Sequence, residues 1–497
     1  MMVQESKLVA QTGKIILLNA ENILPKYFAI YKYLESKDCS LMQPQKEFCM
    51  QIVCIQMFVN YFYSVYLVSL SGALKATDRR EQQAHLKYVN SYIIEGYKAL
   101  WGYNKQGRSM WGKFIKNYQL VKENNVFDND IKTITNRLKE YAESSITDKD
   151  ERDLTMHYQI DKGGNPRELL KLEEITIEKE VNRYEQFGII FRLMGKCITE
   201  ILDYYLVQKK RDELMKLHPI LPPLFSFDQY IWESKLAEMN VAMTKNIASQ
   251  SKTFGDCKEQ LLKWPNILKK IQAEYKIDLA DCYNILPTSE AMLAITYMSL
   301  DLCSTLKLYF NSSLPLERAI ALSRMNIICY SIIDRVYGYT SRVGSYWERY
   351  LTKPYGEDNL PNVLLEIRDV METCIKTNLY SNEKRLAFVH LKKENIMSAI
   401  KMLYTQNPLK EIENSIAIVK VLPKIQRAIK ESLAQIDKNI KKCNVKKYQW
   451  VDGYIEKFAP YKDRPGMNTI YLSLLELKKG NVIEALDIVK KMATVNK

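Results

Sequence analysis

Residues Trp101–Ile115 read WGYNKQGRSMWGKFI, and Tyr337–Leu351 read YGYTSRVGSYWERYL. An aromatic, a Gly, a Tyr, a Ser, a Trp, a basic residue, a second aromatic and an aliphatic recur at identical spacing, 236 positions apart. The register extends upstream without a gap, since Asn90 falls on Asn326. Downstream, Arg152 and His157 in the first copy match Arg385 and His390 in the second, at a separation of 233. A chain that repeats itself over such a span must build two similar supersecondary units and bury the apolar face of each.

The type of unit follows from periodicity. Leu86, Val89, Ile93, Tyr97 and Leu100 fall mostly three or four apart, which predicts a helix over about Asp78–Tyr103. An apolar helix over about Glu47–Leu74 precedes it, and a third is expected around Ser109–Val121. The second copy repeats the plan over about Met292–Tyr309, Leu316–Tyr339 and the Trp347 segment, followed by Leu364–Lys376. Gly102 and Gly338 read as helix stops, and Ser109 and Ser345 as N-caps. Only 17 Gly and 15 Pro in 497 residues leave few turns, so the expected class is all-α.

The expected organisation is an N-terminal helical segment (1–44), a first unit (45–175), a helical connector (176–284), a second unit (285–405) and a C-terminal helical region (406–497). The connector is expected to break at a loop around Ser249–Asp256, and the C-terminal helices at Pro408, Pro423 and Pro460. Leu391–Leu403 echoes Leu477–Val489 at an offset of 86, a weakly tetratricopeptide-like pattern of paired helices.

The span Phe48–Leu74 carries no charge, yet it contains Gln51, Gln56 and Asn60, and its counterpart carries Asp301 and Lys307. A core helix fits both copies better than a membrane span, so no membrane association is expected. Ten cysteines without a CxxC pair read as reduced thiols of a cytoplasmic protein, and no signal peptide is read at the N-terminus. No Cys/His cluster has zinc-ligand spacing; neither a metal nor a cofactor is expected. The sequence lacks a phosphate-binding glycine loop, a dinucleotide fingerprint and a serine nucleophile elbow. With 72 basic against 58 acidic residues, the net charge of +14 suits a polyanion such as RNA, and equally a set of well-solvated lysine-rich helices. Lys209–Arg211 and Lys438–Lys447 are the basic clusters able to follow a phosphate backbone.

The chemistry rests on Arg152, Asp153 and His157, and on Arg385 and His390. RNA cleavage requires deprotonating a 2′-hydroxyl, stabilising an anionic phosphorane and protonating the leaving 5′-oxygen. Histidine carries protons near neutral pH, and arginine brings a permanent charge and a bidentate fork to phosphate. Arg80/His85 and Arg211/His218 also satisfy the loose spacing, but only the Arg152 and Arg385 pairs hold equivalent places in the repeat.

These residues resemble the HEPN superfamily of helical bundles, many of them metal-independent ribonucleases with an Arg-x4–6-His motif. In that motif a polar residue often follows the Arg, as Asp153 does here, and Tyr158 is similar to the residue that follows the His in many members. Tyr330–Tyr339 also resembles a helix of some HEPN families. The resemblance covers roughly 45–175 and 285–405, about half the chain. It implies an endoribonuclease in antiviral defence or toxin-type growth arrest, with Arg152 on the phosphate, His157 as general base or acid, and Asp153 orienting one of them. HEPN domains act as dimers with two motifs across one cleft, so the second copy is implied to complete the cleft and a homo-oligomer is left open. Leu386 departs from the pattern at the polar position, which makes the first copy the implied catalytic one. The alternative from the residues alone is a non-catalytic helical scaffold for RNA or for a protein bound through the C-terminal helices.

Overall fold

The computed structural model describes residues 2–39, 41–102, 109–143, 170, 173–205, 216–217, 220–224, 229–274, 279–339, 341–352, 359–389, 393–442, 449–464, 466–478, 485 and 487–488. Among them there is no strand, and the chain is all-α as expected. The helices are α1 (Met2–Glu35), α2 (Gln43–Lys75), α3 (Arg79–Leu100), α4 (Met110–Val121), α5 (Asp128–Glu143), α6 (Ile177–Tyr205) and α7 (Gln229–Glu274). Then come α8 (Leu279–Asn311), α9 (Pro315–Val336), a π-helical turn (Trp347–Thr352), α10 (Asn362–Lys376), α11 (Asn382–Val389), α12 (Lys393–Tyr404) and α13 (Pro408–Lys442). A C-terminal pair, α14 (Gln449–Phe458) and α15 (Met467–Lys478), follows.

The sequence repeat has a structural counterpart in helix boundaries. Helices α2 and α8 end 236 positions apart, and α3 and α9 begin and end 236 apart. Local chemistry explains the shared limits. At the start of α3, Asp78 accepts from the amides of Arg80 (2.8 Å) and Glu81 (3.2 Å), and Glu81 reaches back to the Thr77 amide at 3.0 Å. At the start of α9, Pro315 occupies the first turn and Glu317 takes the Ser313 amide at 3.0 Å. Both helices stop at a glycine with positive φ, +80° at Gly102 and +85° at Gly338, where other residues are strained. Ser109 and Ser345 cap the next segment, accepting from the amides of Gly112 (3.0 Å) and Glu348 (3.3 Å). The first segment winds on as α4, whereas the second becomes a π-helical turn.

Most of the buried apolar side chains from Leu17 to Ile429 form one continuous cluster, with α2 and α8 at its centre. Helix α1 packs on α2 and α7 on α8, while α3 crosses to α8 and α9 crosses to α2. The crossing is reciprocal. Tyr88 donates to Asp301 at 2.9 Å, and position 324, the equivalent of 88, reaches position 65, the equivalent of 301, through Arg324 Nη2 and the Val65 carbonyl at 3.3 Å. The outer helices obey the same exchange: Glu21 of α1 takes the Leu316 amide of α9 (3.3 Å), and Ser251 of α7 donates to Asp78 at the head of α3 (2.7 Å). Contacts of i with j′ and i′ with j are the mark of an isologous interface, here within one chain.

Two local expectations are corrected. Helix α7 runs unbroken through 249–256, because Ser251, Phe254 and Cys257 are buried against the bundle and hold that stretch helical. Helix α13 continues through Pro423. In the weakly tetratricopeptide-like segments, Ile396, Ile400 and Leu403 belong to the main core, while Leu477 and Ala485 belong to a small second core with Ile285, Leu286 and Val451. Two helical stretches, Gln43–Lys75 and Asn284–Asn311, are long and apolar enough to cross a membrane, and their most apolar windows are 83% and 100% buried within the bundle.

Candidate functional site

Of the five predicted site residues the structure describes Arg385. Arg152, Asp153, His157 and His390 lie outside the described residues, as do the basic clusters at 209–211 and 443–447. Arg385 sits on α11, whose first turn is tied down by Ser381: its hydroxyl accepts from the Lys384 amide (3.2 Å) and its carbonyl from the Arg385 amide (3.0 Å). The helix buries Ala387, Phe388 and Val389 and leaves Arg385 partly exposed beside the exposed Leu386.

Aromatic and polar groups hold the guanidinium in place. It lies over the Tyr330 ring with 5.5 Å to the centroid, and Nη1 donates to Asn382 at 3.4 Å. Tyr330 packs on Tyr339 at 5.1 Å, and Tyr339 donates to Asn378 at 3.3 Å. A cation beside two tyrosines at a helix end can take a phosphate and support a neighbouring base.

Behind the helix, Lys384 pairs with Glu411 of α13 at 3.0 Å, although Glu411 has no exposed surface. Asn326 donates to the other carboxylate oxygen at 3.1 Å, and Tyr380 donates to the Glu411 carbonyl at 2.7 Å. Burial pushes the Glu411 carboxyl up from the ordinary range, against the opposing pull of Lys384 and Asn326. The first copy carries the related arrangement: Arg183 donates to Asn90 (2.8 Å) and to the fully buried Glu180 (2.9 Å). Glu180 and Glu411 each stand four residues into a capped helix, after Thr176 and Asn407 respectively. The Asn90/Asn326 match was the one sequence signal for these residues; the buried carboxylates were missed, because their partners are remote in the chain.

Comparison with known protein families, curated proteins and solved structures finds no match. The site is therefore read from its own residues. His85, the one histidine among the described residues, is 2% exposed. Burial, with Arg324, Lys307 and Lys87 nearby, holds its pKa down to about 3. It is neutral and inaccessible, which fits its reading as structural. Among the described residues no group of three or more His, Cys, Asp or Glu is arranged to hold a metal.

A second polar cluster, unforeseen from the sequence except through Asp301 and Lys307, occupies the seam between α2/α3 and α8/α9. Lys87 pairs with Asp301, and Tyr88 donates to the same oxygen at 2.9 Å. Arg324 donates to Ser69 and Val65 and lies over the Tyr88 ring at 4.8 Å. Lys307 pairs with Glu81 at 2.8 Å. Lys87 and Arg324 are wholly buried, and the others nearly so.

Proposed function

We propose that the protein is a metal-independent endoribonuclease of the HEPN type, built as two related bundles in one chain and acting in the cytoplasm, in antiviral defence or toxin-like growth arrest. The observation that carries this reading is the reciprocal crossing of α3 on α8 and α9 on α2. It puts two copies of one helical plan face to face, the relation by which paired motifs can share a cleft. The support at the motif itself is Arg385, partly exposed on an anchored helix over Tyr330.

In this reading a histidine, His157 in the first instance, removes the proton of a 2′-hydroxyl. The 2′-oxygen attacks phosphorus, the bond to the 5′-oxygen breaks, and a second proton carrier, His390 or a returning His157, protonates the leaving oxygen. Arg152 and Arg385 hold the phosphate and the charge that builds on it, and Asp153 orients His157 or Arg152. RNA is the partner, and further copies of the chain or a protein at the C-terminal helices are compatible with it.

The test is incubation of the purified chain with labelled RNA in EDTA. Cleavage that disappears in Arg152→Ala and His157→Ala is the expected result; cleavage retained in the folded double variant overturns the assignment. A second reading, a non-catalytic scaffold, is favoured by Leu386 standing exposed where the motif calls for a polar residue. RNA binding without cleavage by the unaltered chain would select it.

A further inference from the structure

Five side chains close a circuit around α11. Asn326 and Tyr330 stand one turn apart on the same face of α9. Asn326 donates to one carboxylate oxygen of Glu411 at 3.1 Å, and Lys384 of α11 donates to the other at 3.0 Å. The next residue, Arg385, returns to α9, its guanidinium 5.5 Å from the centroid of the Tyr330 ring. Two adjacent residues of α11 are thus held by two residues one turn apart on α9, one of them through Glu411.

The circuit is directional. Successive residues of a helix point about 100° apart, so a Lys384 side chain drawn to α13 turns Arg385 toward α9. Burial of Ala387, Phe388 and Val389 sets how deep α11 sits, but apolar contact is non-directional and does not choose its rotation. A charge-assisted hydrogen bond does. Glu411 is a firm anchor for it, wholly buried in the 35-residue α13. The same residue also holds the chain entering α11, because the Tyr380 hydroxyl donates to the Glu411 carbonyl at 2.7 Å.

We propose, on the reading of Arg385 as a phosphate ligand, that Glu411 is its positioning residue: through Lys384 it sets the rotation of α11 and so aims the guanidinium at bound RNA. Glu411 has no exposed surface with which to touch RNA itself. Its whole effect on binding therefore passes through Arg385, and the losses from removing the two do not add.

Arginine side-chain NMR of the full chain reads the aim directly. The Arg385 Nε–H signal, assigned by its loss in Arg385→Lys, carries the ring-current shift of Tyr330, which Tyr330→Leu removes. Glu411→Gln, and Lys384→Met as a second route, should move that signal most of the way to its Tyr330→Leu position. A signal left in place in both variants overturns the proposal, whatever the chain does to RNA. In parallel, a 2′-O-methyl RNA, which lacks the attacking hydroxyl, is titrated. Arg385→Ala and Glu411→Gln should each weaken binding severalfold, and the double variant no further than Arg385→Ala alone. Losses that multiply overturn the proposal, because Glu411 would then act by another route. Binding indifferent to Arg385→Ala, with the signal moved as expected, upholds the link from Glu411 to the guanidinium and overturns the reading of Arg385 as a phosphate ligand.

Discussion

Lys384 reaches Glu411 at 3.0 Å, so the residue next to Arg385 is pinned to a carboxylate wholly buried on another helix. The pairing fixes the pitch and rotation of α11, a helix of 8 residues too short to hold its own geometry. Removing the carboxylate should therefore be felt in stability. Glu411→Ala strands Lys384 and the Asn326 amide and should lower the unfolding free energy by about 3 kcal/mol. Glu411→Gln keeps an acceptor for Asn326 and should lose about 1 kcal/mol. Urea unfolding followed by circular dichroism separates the two; equal losses would remove the ion pair from the account.

The seam makes a second, sharper demand. Asp301→Ala removes the buried carboxylate that Lys87 pairs with and Arg324 faces, and should destabilise by about 3–5 kcal/mol. Pairing it with Lys87→Met should recover a large part of that loss, because the cation that Asp301 paired with is then gone as well. A double variant no more stable than Asp301→Ala alone would show that the two side chains are not coupled.

His85 sets a pH dependence. Its folded pKa is depressed to about 3, while an unfolded histidine titrates near 6.5. The unfolded chain therefore takes up a proton that the folded chain refuses. The contribution is fully present above about pH 6.5 and is lost as pH falls from there toward 3, at up to about 1.4 kcal/mol per pH unit. Unfolding measured between pH 7 and 5 should show that slope, and His85→Gln should flatten it by one proton; an unchanged slope would contradict the neutral buried histidine.

Two glycines should respond oppositely to alanine. At Gly338, φ is +85° and an added Cβ would stand 2.0 Å from the Ser341 carbonyl oxygen, so Gly338→Ala should cost about 2 kcal/mol. Gly453 lies in α14 with nothing within 4 Å of such a Cβ, and Gly453→Ala should gain about 0.5–1 kcal/mol. Thermal melts of the two single variants decide it.

The helical class, the limits of α3 and α9, the C-terminal ends of α2 and α8, and the stops at Gly102 and Gly338 were legible in the sequence, because capping and glycine chemistry act over one turn. Pro423 and the 249–256 stretch misled for a related reason: local breaker signals were overridden by burial of Ser251, Phe254 and Cys257 against the bundle. At the candidate site, Arg385 was legible through its phase in the repeat. Its supports, Tyr330, Lys384 and Glu411, were not, since Glu411 gives no sign in the sequence of the helix it will meet.

By itself, then, the sequence determined a repeated helical plan, its phase, and the residue types available for phosphate chemistry. Periodicity and capping are short-range, so they can be read along the chain. Only the tertiary structure decided that the two copies cross reciprocally, α3 on α8 and α9 on α2, and that Arg324, Lys87 and Asp301 meet in the buried centre. Those outcomes depend on which faces bury against each other over separations of more than 200 residues, and on the need of buried charges to find one another there.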